Sequence, residues 1–194
     1  MEYELKFKVS GKKGILGKLA QLGAKDLGQR KETDIFIGQA GRGLRLRKFG
    51  RDGVVTYKWI VAKKIRAKVR GELETRVSDI DHLLEMFRIL GFSETKRREK
   101  IRRTFQLGKT LVLIDKIPFM GYFVEVESPS YAALKKAVRQ LGLDMKKASS
   151  DSYDNIFLDF YIVNADKFKH ARSTILPTFE SEKRFLRQSY PQHG

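Results

Sequence analysis

Carboxylates recur two residues apart at three places in the chain, and such pairs are candidates for holding a divalent metal ion. The pairs are Glu2 with Glu4, Glu72 with Glu74, and Glu125 with Glu127. Side chains two apart on a β-strand point to the same face, about 6.6 to 7 Å apart. Carboxylates that face the same space repel one another unless a cation lies between them, and all-oxygen sites suit Mg²⁺ or Mn²⁺. The spacing therefore indicates a metal site built on strands.

Basic residues show similar spacing on other stretches of the chain. They are Lys6 and Lys8, Arg45 and Arg47, Lys58, and Lys100 and Arg102. Arginine binds phosphate oxygens through a two-pronged fork, and lysine binds them as a point charge. Carboxylate pairs and basic pairs that face one cavity would together form a container for a metal-bound polyphosphate.

The spacing of apolar residues predicts the elements that must position these groups. Alternation with a period of two predicts eight strands, at about 2–9, 32–38, 43–49, 53–60, 69–77, 97–107, 109–116 and 121–127. Three segments change to helical spacing and end in Leu-Gly, at Gly23, Gly91 and Gly142. Each helix follows a strand that carries one carboxylate pair, so the chain contains a weak internal repeat.

The alternation is compatible with two arrangements of the strands. In the first, the charged faces are the solvated side of an open antiparallel sheet, and the helices cover its apolar side. In the second, the sheet curls into a wide barrel whose charged faces point inward, with the helices outside. Alternation alone favours the open sheet, whereas the separation of carboxylates and cations onto different strands favours the barrel.

Composition limits the classes of function. The chain has 194 residues, no cysteine and a net charge of +17. The length predicts about one domain, and the lack of cysteine excludes disulfides, zinc–thiolate sites and cysteine nucleophiles. No apolar run approaches the roughly 20 residues that span a bilayer, and the N-terminus does not resemble a signal peptide, so we expect a cytoplasmic protein without membrane contact. The positive charge favours polyanionic partners in general.

The C-terminal part of the chain differs in character from the rest. After about residue 160 the sequence is mostly polar and charged, with scattered apolar residues. We predict a domain over 1–160 and a basic C-terminal extension over 161–194. The extension is either a helix lying on the domain or a partly ordered tail, and the tail is the commoner outcome.

Eight stretches, in order along the chain, resemble the signatures of the CYTH superfamily, also called triphosphate tunnel metalloenzymes. They are EYELK, which resembles the ExExK motif, TDIFI, GLRLRK, VTYKW, RGELET, KIRRTF, LVLID and GYFVEVE. The stretch DSYDNIFL resembles the closing segment of the family, so the resemblance covers about residues 1–160. The superfamily includes class IV adenylyl cyclases, thiamine triphosphatases and inorganic triphosphatases.

The resemblance implies an α+β fold, in which an eight-stranded antiparallel β-barrel, the triphosphate tunnel, carries helices packed on its outside. It implies that Mg²⁺ or Mn²⁺ binds to Glu2, Glu4, Glu125 and Glu127. It implies that the triphosphate binds to Lys6, Arg45, Arg47, Lys58, Lys100 and Arg102. Catalytic roles follow by the same resemblance for Glu4, Glu72, Glu74 and Asp115. Among these, the Glu72 and Glu74 pair would hold a second metal ion or orient water.

The implied activity is that of a metal-dependent triphosphatase, a hydrolase that cleaves tripolyphosphate, thiamine triphosphate or a nucleoside triphosphate. The sequence shows no base-recognition element of the kind that cyclisation needs, so hydrolysis is preferred. One alternative is a class IV adenylyl cyclase, a lyase that converts ATP to cyclic AMP and pyrophosphate. Another is a non-catalytic binder of polyphosphate or RNA, suggested by the charge of +17 and the runs KKIRAKVR and KRREKIRR. Weak polyanion binding could accompany either activity, and we expect a monomer or a homodimer.

Overall fold

The computed structural model describes residues 3–39, 42–64, 67–164 and 178–189. The strands are β1 (Tyr3–Val9), β2 (Lys25–Gln39), β3 (Arg42–Phe49), β4 (Asp52–Lys64), β5 (Ala67–Val77), β6 (Ser93–Leu107), β7 (Thr110–Ile117), β8 (Gly121–Ser128) and β9 (Ala148–Ser149). The helices are α1 (Lys13–Gln21), α2 (Ile80–Ile89), α3 (Tyr131–Gln140), α4 (Tyr153–Val163) and α5 (Phe179–Ser189), with a short 3₁₀ turn at Met145–Lys147.

The first three helices end where the sequence predicts. Gly23, Gly91 and Gly142 follow them with φ angles of 67°, 85° and 63°, a left-handed conformation that glycine adopts without steric cost. Asp79 caps the start of α2 by accepting a hydrogen bond from the His82 backbone N–H at 3.0 Å. The glycine stops and the apolar spacing were therefore sufficient to locate all three helices.

The chain forms two compact units, one from residues 1–30 and 100–194 and the other from residues 31–99. Strands β2 and β6 are long enough to contribute residues to both. In the first unit the strand order is β2, β6, β7, β8, β1, β9. Helices α1 and α3 supply Leu19 and Leu134 to a core with Val112, Val124 and Val126 of the sheet. Because side chains alternate along a strand, the neighbouring charged residues project from the opposite face.

The second unit has the strand order β5, β4, β3, β2, β6, and α2 covers one face. Its core consists of Ile35, Ile37, Leu46, Ile80 and Leu84. The chain enters and leaves this unit at adjacent places, since Lys31 Nζ lies 2.8 Å from Glu99 Oε1.

Gly53 of β4 lies against Ile80, the first residue of α2. A Cβ atom at this position would fall inside contact distance of the Arg47 carbonyl oxygen and lie 2.5 Å from Ile80 Cγ1. We expect Gly53→Ala to lower the free energy of unfolding by about 1–3 kcal/mol, measured by urea denaturation, because the backbone and the helix must move apart.

Gly17→Ala in α1 is the matched control for the Gly53 substitution. No atom lies within 4 Å of a Cβ built at Gly17, and alanine favours the helix, so stability should rise slightly. Equal effects of the two substitutions would contradict the close packing inferred at Gly53.

The structure confirms an α+β fold with an antiparallel sheet and helices, but not the closed eight-stranded barrel. Nine strands are described, because Ala148 and Ser149 add a short strand alongside Phe7 and Lys6 of β1. Among the described residues the hydrogen-bonded strand order has two ends, β5 and β9, so the sheet is not closed. Since β9 occupies the edge of β1, that edge is already paired.

The described part of the C-terminal region is helical. Helix α4 begins at Tyr153 and continues past the predicted boundary at residue 160. Helix α5 contacts the turn between β7 and β8, where Glu182 Oε1 accepts a hydrogen bond from the Phe119 backbone N–H at 2.7 Å. None of the helices in these described ranges is long and apolar enough to cross a membrane.

Candidate metal and phosphate site

Three of the predicted metal ligands lie together on β1 and β8. The strand register pairs Glu4 with Glu127 and Lys6 with Glu125. One carboxylate oxygen from each of Glu4, Glu125 and Glu127 lies within 4.8 Å of the others, so the cluster could hold a metal ion. An all-carboxylate set suits a hard cation such as Mg²⁺ or Mn²⁺. Glu2, the fourth predicted ligand, lies outside the described residues.

Basic side chains surround the buried member of this cluster. Glu125 accepts a hydrogen bond from Arg102 NH2 at 2.6 Å, and its Oε1 lies 3.9 Å from Lys6 Nζ. Lys6 also forms an ion pair with Glu4. Burial alone would raise the pKa of Glu125, but the charges of Arg102, Lys6 and Lys100 and a hydrogen bond with Glu127 lower that pKa to about 2. The Glu125 carboxylate is therefore ionised at neutral pH.

The depressed pKa of Glu125 predicts a pH dependence of stability. A carboxylate whose pKa falls on folding, here from 4.5 to about 2, stabilises the protein above its unfolded-state pKa. That contribution should be complete above about pH 5 and should fade as the pH falls from 4.5 towards 2. Urea denaturation of the wild type and Glu125→Gln at several pH values measures it. A stability difference that stays constant down to pH 2 would contradict the pairing.

Asp115 lies in a fully buried position on β7 and binds Arg102 of the neighbouring strand. Arg102 donates from Nε to Oδ1 at 2.7 Å and from NH2 to Oδ2 at 2.6 Å. Lys100 Nζ lies 3.6 Å from the same Oδ2. The carboxylate is outside the cluster of Glu4, Glu125 and Glu127, and it forms ion pairs with Arg102 and Lys100. Its geometry is that of a group that orients Arg102, and the catalytic role implied for it stays a prediction.

Lys6, Lys100 and Arg102 project from the same face of the sheet as the carboxylates. The register places Arg102 opposite Asp115 and Lys6 opposite Glu125, and paired residues of antiparallel strands share a face. All three cations are buried. Burial lowers the pKa of the Lys6 ammonium, with a further decrease from the charge of Arg102, while Glu125, Glu127 and Asp115 oppose the change. A buried group of cations of this kind would bind phosphate oxygens strongly.

Tyr153 is a member of this site that the sequence did not reveal. Its hydroxyl donates a hydrogen bond to Asp115 Oδ2 at 2.9 Å. Burial, followed by the charges of Asp115 and Glu125, raises the pKa of the Tyr153 hydroxyl well above its ordinary value, so it remains a donor. The stretch DSYDNIFL resembled the family's closing segment, and Ser152 caps α4 through the Asn155 backbone N–H at 3.3 Å. That resemblance was the available signal, but it assigned no role to the tyrosine.

In the second unit, Arg47 is held by buried carboxylates of β2. It donates to Asp34 from Nε at 2.6 Å and from NH2 at 3.0 Å, and its NH1 lies 3.6 Å from Glu32 Oε2. Arg98 also binds this carboxylate. It donates to Asp34 Oδ2, the oxygen that accepts from Arg47 NH2, from Nε at 3.0 Å and from NH2 at 2.9 Å. The predicted site residues did not include Glu32, Asp34 or Arg98, although Asp34 lies in the TDIFI stretch.

Arg45 and Glu74 are linked through a hydroxyl in the second unit. Arg45 NH2 donates to Thr56 Oγ1 at 3.0 Å, and Thr56 Oγ1 donates to Glu74 Oε2 at 3.3 Å. The register of β4 and β5 pairs Lys58 with Glu72, but the side chains of these two predicted residues lie outside what the structure describes. Each unit thus assembles its own group of predicted residues. The first unit contains seven of them: Glu4, Lys6, Lys100, Arg102, Asp115, Glu125 and Glu127.

Known proteins resemble this chain over most of its length. The family model of the CYTH domain matches residues 1–153. The protein named "Putative adenylate cyclase" from Methanocaldococcus jannaschii is 31% identical over 170 residues, which is 84% of this chain and 97% of the relative. A structure from Pyrococcus horikoshii is 28% identical with a TM-score of 0.65, and the match covers 79% of this chain and 97% of that one.

Two more distant structures share the fold. A "putative adenylate cyclase" from Vibrio parahaemolyticus is 20% identical with a TM-score of 0.66, over 81% of this chain and 97% of that one. A Hippeastrum protein, described as a "putative adenylyl cyclase" with a dominant triphosphatase activity, is 14% identical with a TM-score of 0.56, over 82% of this chain and 95% of that one. At these identities the likeness shows the fold alone.

Proposed function

Because the chain belongs to the CYTH domain family, we propose that it is a divalent-metal-dependent triphosphatase that acts in the cytoplasm. Its substrate would be tripolyphosphate, thiamine triphosphate or a nucleoside triphosphate, held in a basic tunnel. The observation that carries the proposal is the arrangement in the first unit. Three carboxylates within 4.8 Å of one another lie beside the buried cations Lys6, Lys100 and Arg102. A metal-bound triphosphate matches both groups of side chains, because its metal ion binds carboxylates and its phosphate oxygens bind basic groups.

The residues fit a metal ion of the magnesium type. Glu4, Glu125 and Glu127 would hold it, with Glu2 as a further proposed ligand, and their oxygens are the donors that Mg²⁺ or Mn²⁺ prefers. The chemistry supplied by such an ion is neutralisation of phosphate oxygens and activation of water. The low pKa of Glu125 supports this assignment, since a metal ligand must be deprotonated.

The basic residues would position the phosphate chain and neutralise its charge. Phosphoryl transfer needs positioning and electrostatic stabilisation more than covalent chemistry from the protein. Lys6, Lys100 and Arg102 would bind phosphate oxygens in the first unit, and Arg45, Arg47 and Lys58 are proposed phosphate ligands of the second. Glu4 and Asp115 are the proposed catalytic residues of the first unit, and they would act on the attacking water by orienting the basic side chains. Glu72 and Glu74 are proposed to orient water or to hold a second metal ion.

An adenylyl cyclase is the second candidate. The name of the Methanocaldococcus jannaschii relative, at 31% identity, favours it. The attacking group would then be the ribose 3′-hydroxyl of ATP rather than water, and the products would be cyclic AMP and pyrophosphate. Non-catalytic binding of polyphosphate or RNA is a third candidate that rests on the charge of +17 and the basic runs KKIRAKVR and KRREKIRR. A variant with fewer surface lysines that keeps turnover but loses RNA binding would separate that property from catalysis.

Turnover assays with typed products test the proposal. The protein is incubated with Mg²⁺ or Mn²⁺ and tripolyphosphate, thiamine triphosphate or ATP, and phosphate, pyrophosphate and cyclic AMP are quantified separately. We expect metal-dependent release of phosphate and no cyclic AMP. Cyclic AMP as the main product would establish the cyclase instead. Lack of turnover of all three substrates with both metals would overturn the enzymatic proposal.

A further inference from the structure

Tyr153, the first residue of α4, contacts the proposed phosphate-binding cations of the first unit. The centroid of its ring lies 5.4 Å from Lys6 Nζ and 5.5 Å from Lys100 Nζ. Its hydroxyl lies 2.9 Å from Asp115 Oδ2, and the same carboxylate binds Arg102 through two hydrogen bonds. One side chain therefore touches two of the three cations directly and reaches the third through a single carboxylate.

We propose that Tyr153 is a positioning residue that sets the spacing of Lys6, Lys100 and Arg102 before a triphosphate binds. The inference rests on the proposed function. It adds Tyr153 of helix α4 to a site whose other residues lie on strands. Tyr153 acts through its neighbours and is not proposed to touch the reacting atoms.

The ring restrains two side chains that would otherwise be flexible. An ammonium near the face of an aromatic ring is attracted by the negative charge of that face, and the attraction is larger where water is excluded. Lys6 and Lys100 are buried, so their attraction to the ring is at the stronger end. Lysine loses rotamer entropy when its side chain is immobilised. Holding both ammonium groups in place beforehand lowers the entropy that must be lost when phosphate binds.

The ring is itself held in one position by its surroundings. Phe123 packs edge-on against it with centroids 5.5 Å apart, and both belong to a cluster with Ile117 and Met120. Ile156, Phe157 and Phe160 of α4 pack against the same cluster. The Tyr153 hydroxyl stays protonated because burial and nearby carboxylates raise its pKa, so the hydrogen bond to Asp115 persists. The packing of α4 against this cluster thereby sets the positions of the Lys6, Lys100 and Arg102 side chains.

Two substitutions of Tyr153 separate the ring from the hydroxyl. Tyr153→Leu removes both, whereas Tyr153→Phe keeps the ring and loses only the hydrogen bond to Asp115. Tyr131→Leu is the matched control, because Tyr131 is also the first residue of a helix, α3, and its ring lies 5.0 Å from the ammonium of Lys135, a lysine outside the proposed site. Thermal melting checks that each variant is folded.

The readouts are the Kd for tripolyphosphate by calorimetry, KM and kcat at saturating Mg²⁺, and NMR spectra of lysines labelled with ¹³C at Cε. We expect Tyr153→Leu to raise Kd and KM about tenfold with a smaller change in kcat, because two ring–ammonium contacts are lost. Tyr153→Phe should stay within about threefold of the wild type, since only one hydrogen bond is lost. Tyr131→Leu should leave both constants unchanged. In the NMR spectra, ring-current shifts at Lys6 and Lys100 should be kept in Tyr153→Phe and lost in Tyr153→Leu.

The role of Tyr153 and the proposed function would be overturned by different results. A folded Tyr153→Leu variant with wild-type Kd and KM overturns the role of Tyr153 alone, as does an equal loss in Tyr131→Leu. If Tyr153→Leu does not fold, the wild-type spectrum still decides, because absence of ring-current shifts at Lys6 and Lys100 overturns the role. A wild-type protein that binds no tripolyphosphate overturns the proposed function, and the positioning role falls with it.

Discussion

Glu4→Gln should reduce metal-dependent turnover by at least about 100-fold while leaving the protein folded. The Glu4 carboxylate belongs to the cluster with Glu125 and Glu127, and its side chain is 41% exposed. Glutamine keeps the size of the side chain but removes the charge, so the cluster should lose affinity for Mg²⁺ or Mn²⁺. The initial rate with tripolyphosphate measures the first effect, and titration with Mn²⁺ followed by the EPR signal of the free ion measures the second.

Glu85→Gln provides the control for the Glu4 substitution. Glu85 is exposed on α2 and pairs with Arg88 at 3.3 Å, so it undergoes the same chemical change far from the carboxylate cluster in sequence. Its rate and its Mn²⁺ titration should match the wild type. Full activity of Glu4→Gln, or unfolding of that variant, would show that the charged face of β1 is wrongly assigned.

Asp115→Asn should lower the free energy of unfolding by about 3–5 kcal/mol, because it removes a carboxylate charge that compensates buried cations. Asp115 is fully buried and accepts two hydrogen bonds from Arg102 and one from Tyr153, with Lys100 3.6 Å away. The Arg102 guanidinium would lose these two hydrogen bonds and keep its contact with Glu125 at 2.6 Å. Urea denaturation at neutral pH measures the loss, and we expect binding of tripolyphosphate to weaken as Arg102 becomes misplaced.

Asp26→Asn makes the same change at an exposed pair of the same unit. Asp26 Oδ2 accepts a hydrogen bond from Arg103 Nε at 3.0 Å, and both side chains are more than one third exposed. Exposed ion pairs contribute about 0–1 kcal/mol, so this variant should be nearly as stable as the wild type. Comparable destabilisation by the two substitutions would mean that burial is not what makes the Asp115 contacts strong.

The cluster of Glu4, Glu125 and Glu127 could be predicted from the sequence because strand alternation and strand pairing are both regular. Two glutamates two residues apart must share a face, and β1 and β8 turned out to be neighbours with Glu4 opposite Glu127. The family resemblance, rather than the alternation, indicated that the two strands meet. The helix ends were predictable for a simpler reason, since only glycine adopts the left-handed conformation at Gly23, Gly91 and Gly142 without strain.

The extra length of β2 and β6 was not accessible in the same way. β2 begins at Lys25, although the residues from Lys25 to Lys31, KDLGQRK, include only one large apolar residue. Their strand conformation follows from pairing with distant segments, such as the contact of Asp26 with Arg103. The local spacing of apolar residues does not indicate that Asp26 pairs with Arg103, which is 77 residues away.

The contacts of the basic residues were equally hidden. The sequence identified Arg47 and Arg102 by type and spacing, but not that Asp34 and Asp115 hold them in place. A tyrosine at the start of an apolar helix is usually a packing residue, and Tyr153 also packs against Phe123. Its contact with Asp115 depends on where α4 docks, which only the folded chain determines.

The ion pair between Lys31 and Glu99 shows that the two ends of the second unit are adjacent. Since the two side chains lie 2.8 Å apart, residues 31–99 begin and end close together. Protein chains tolerate changes in length between ends that are close together, because loop closure then costs little entropy. The length of the segment between Lys31 and Glu99 can therefore vary without breaking the pairing of β1 with β8 that holds the carboxylate cluster of the first unit.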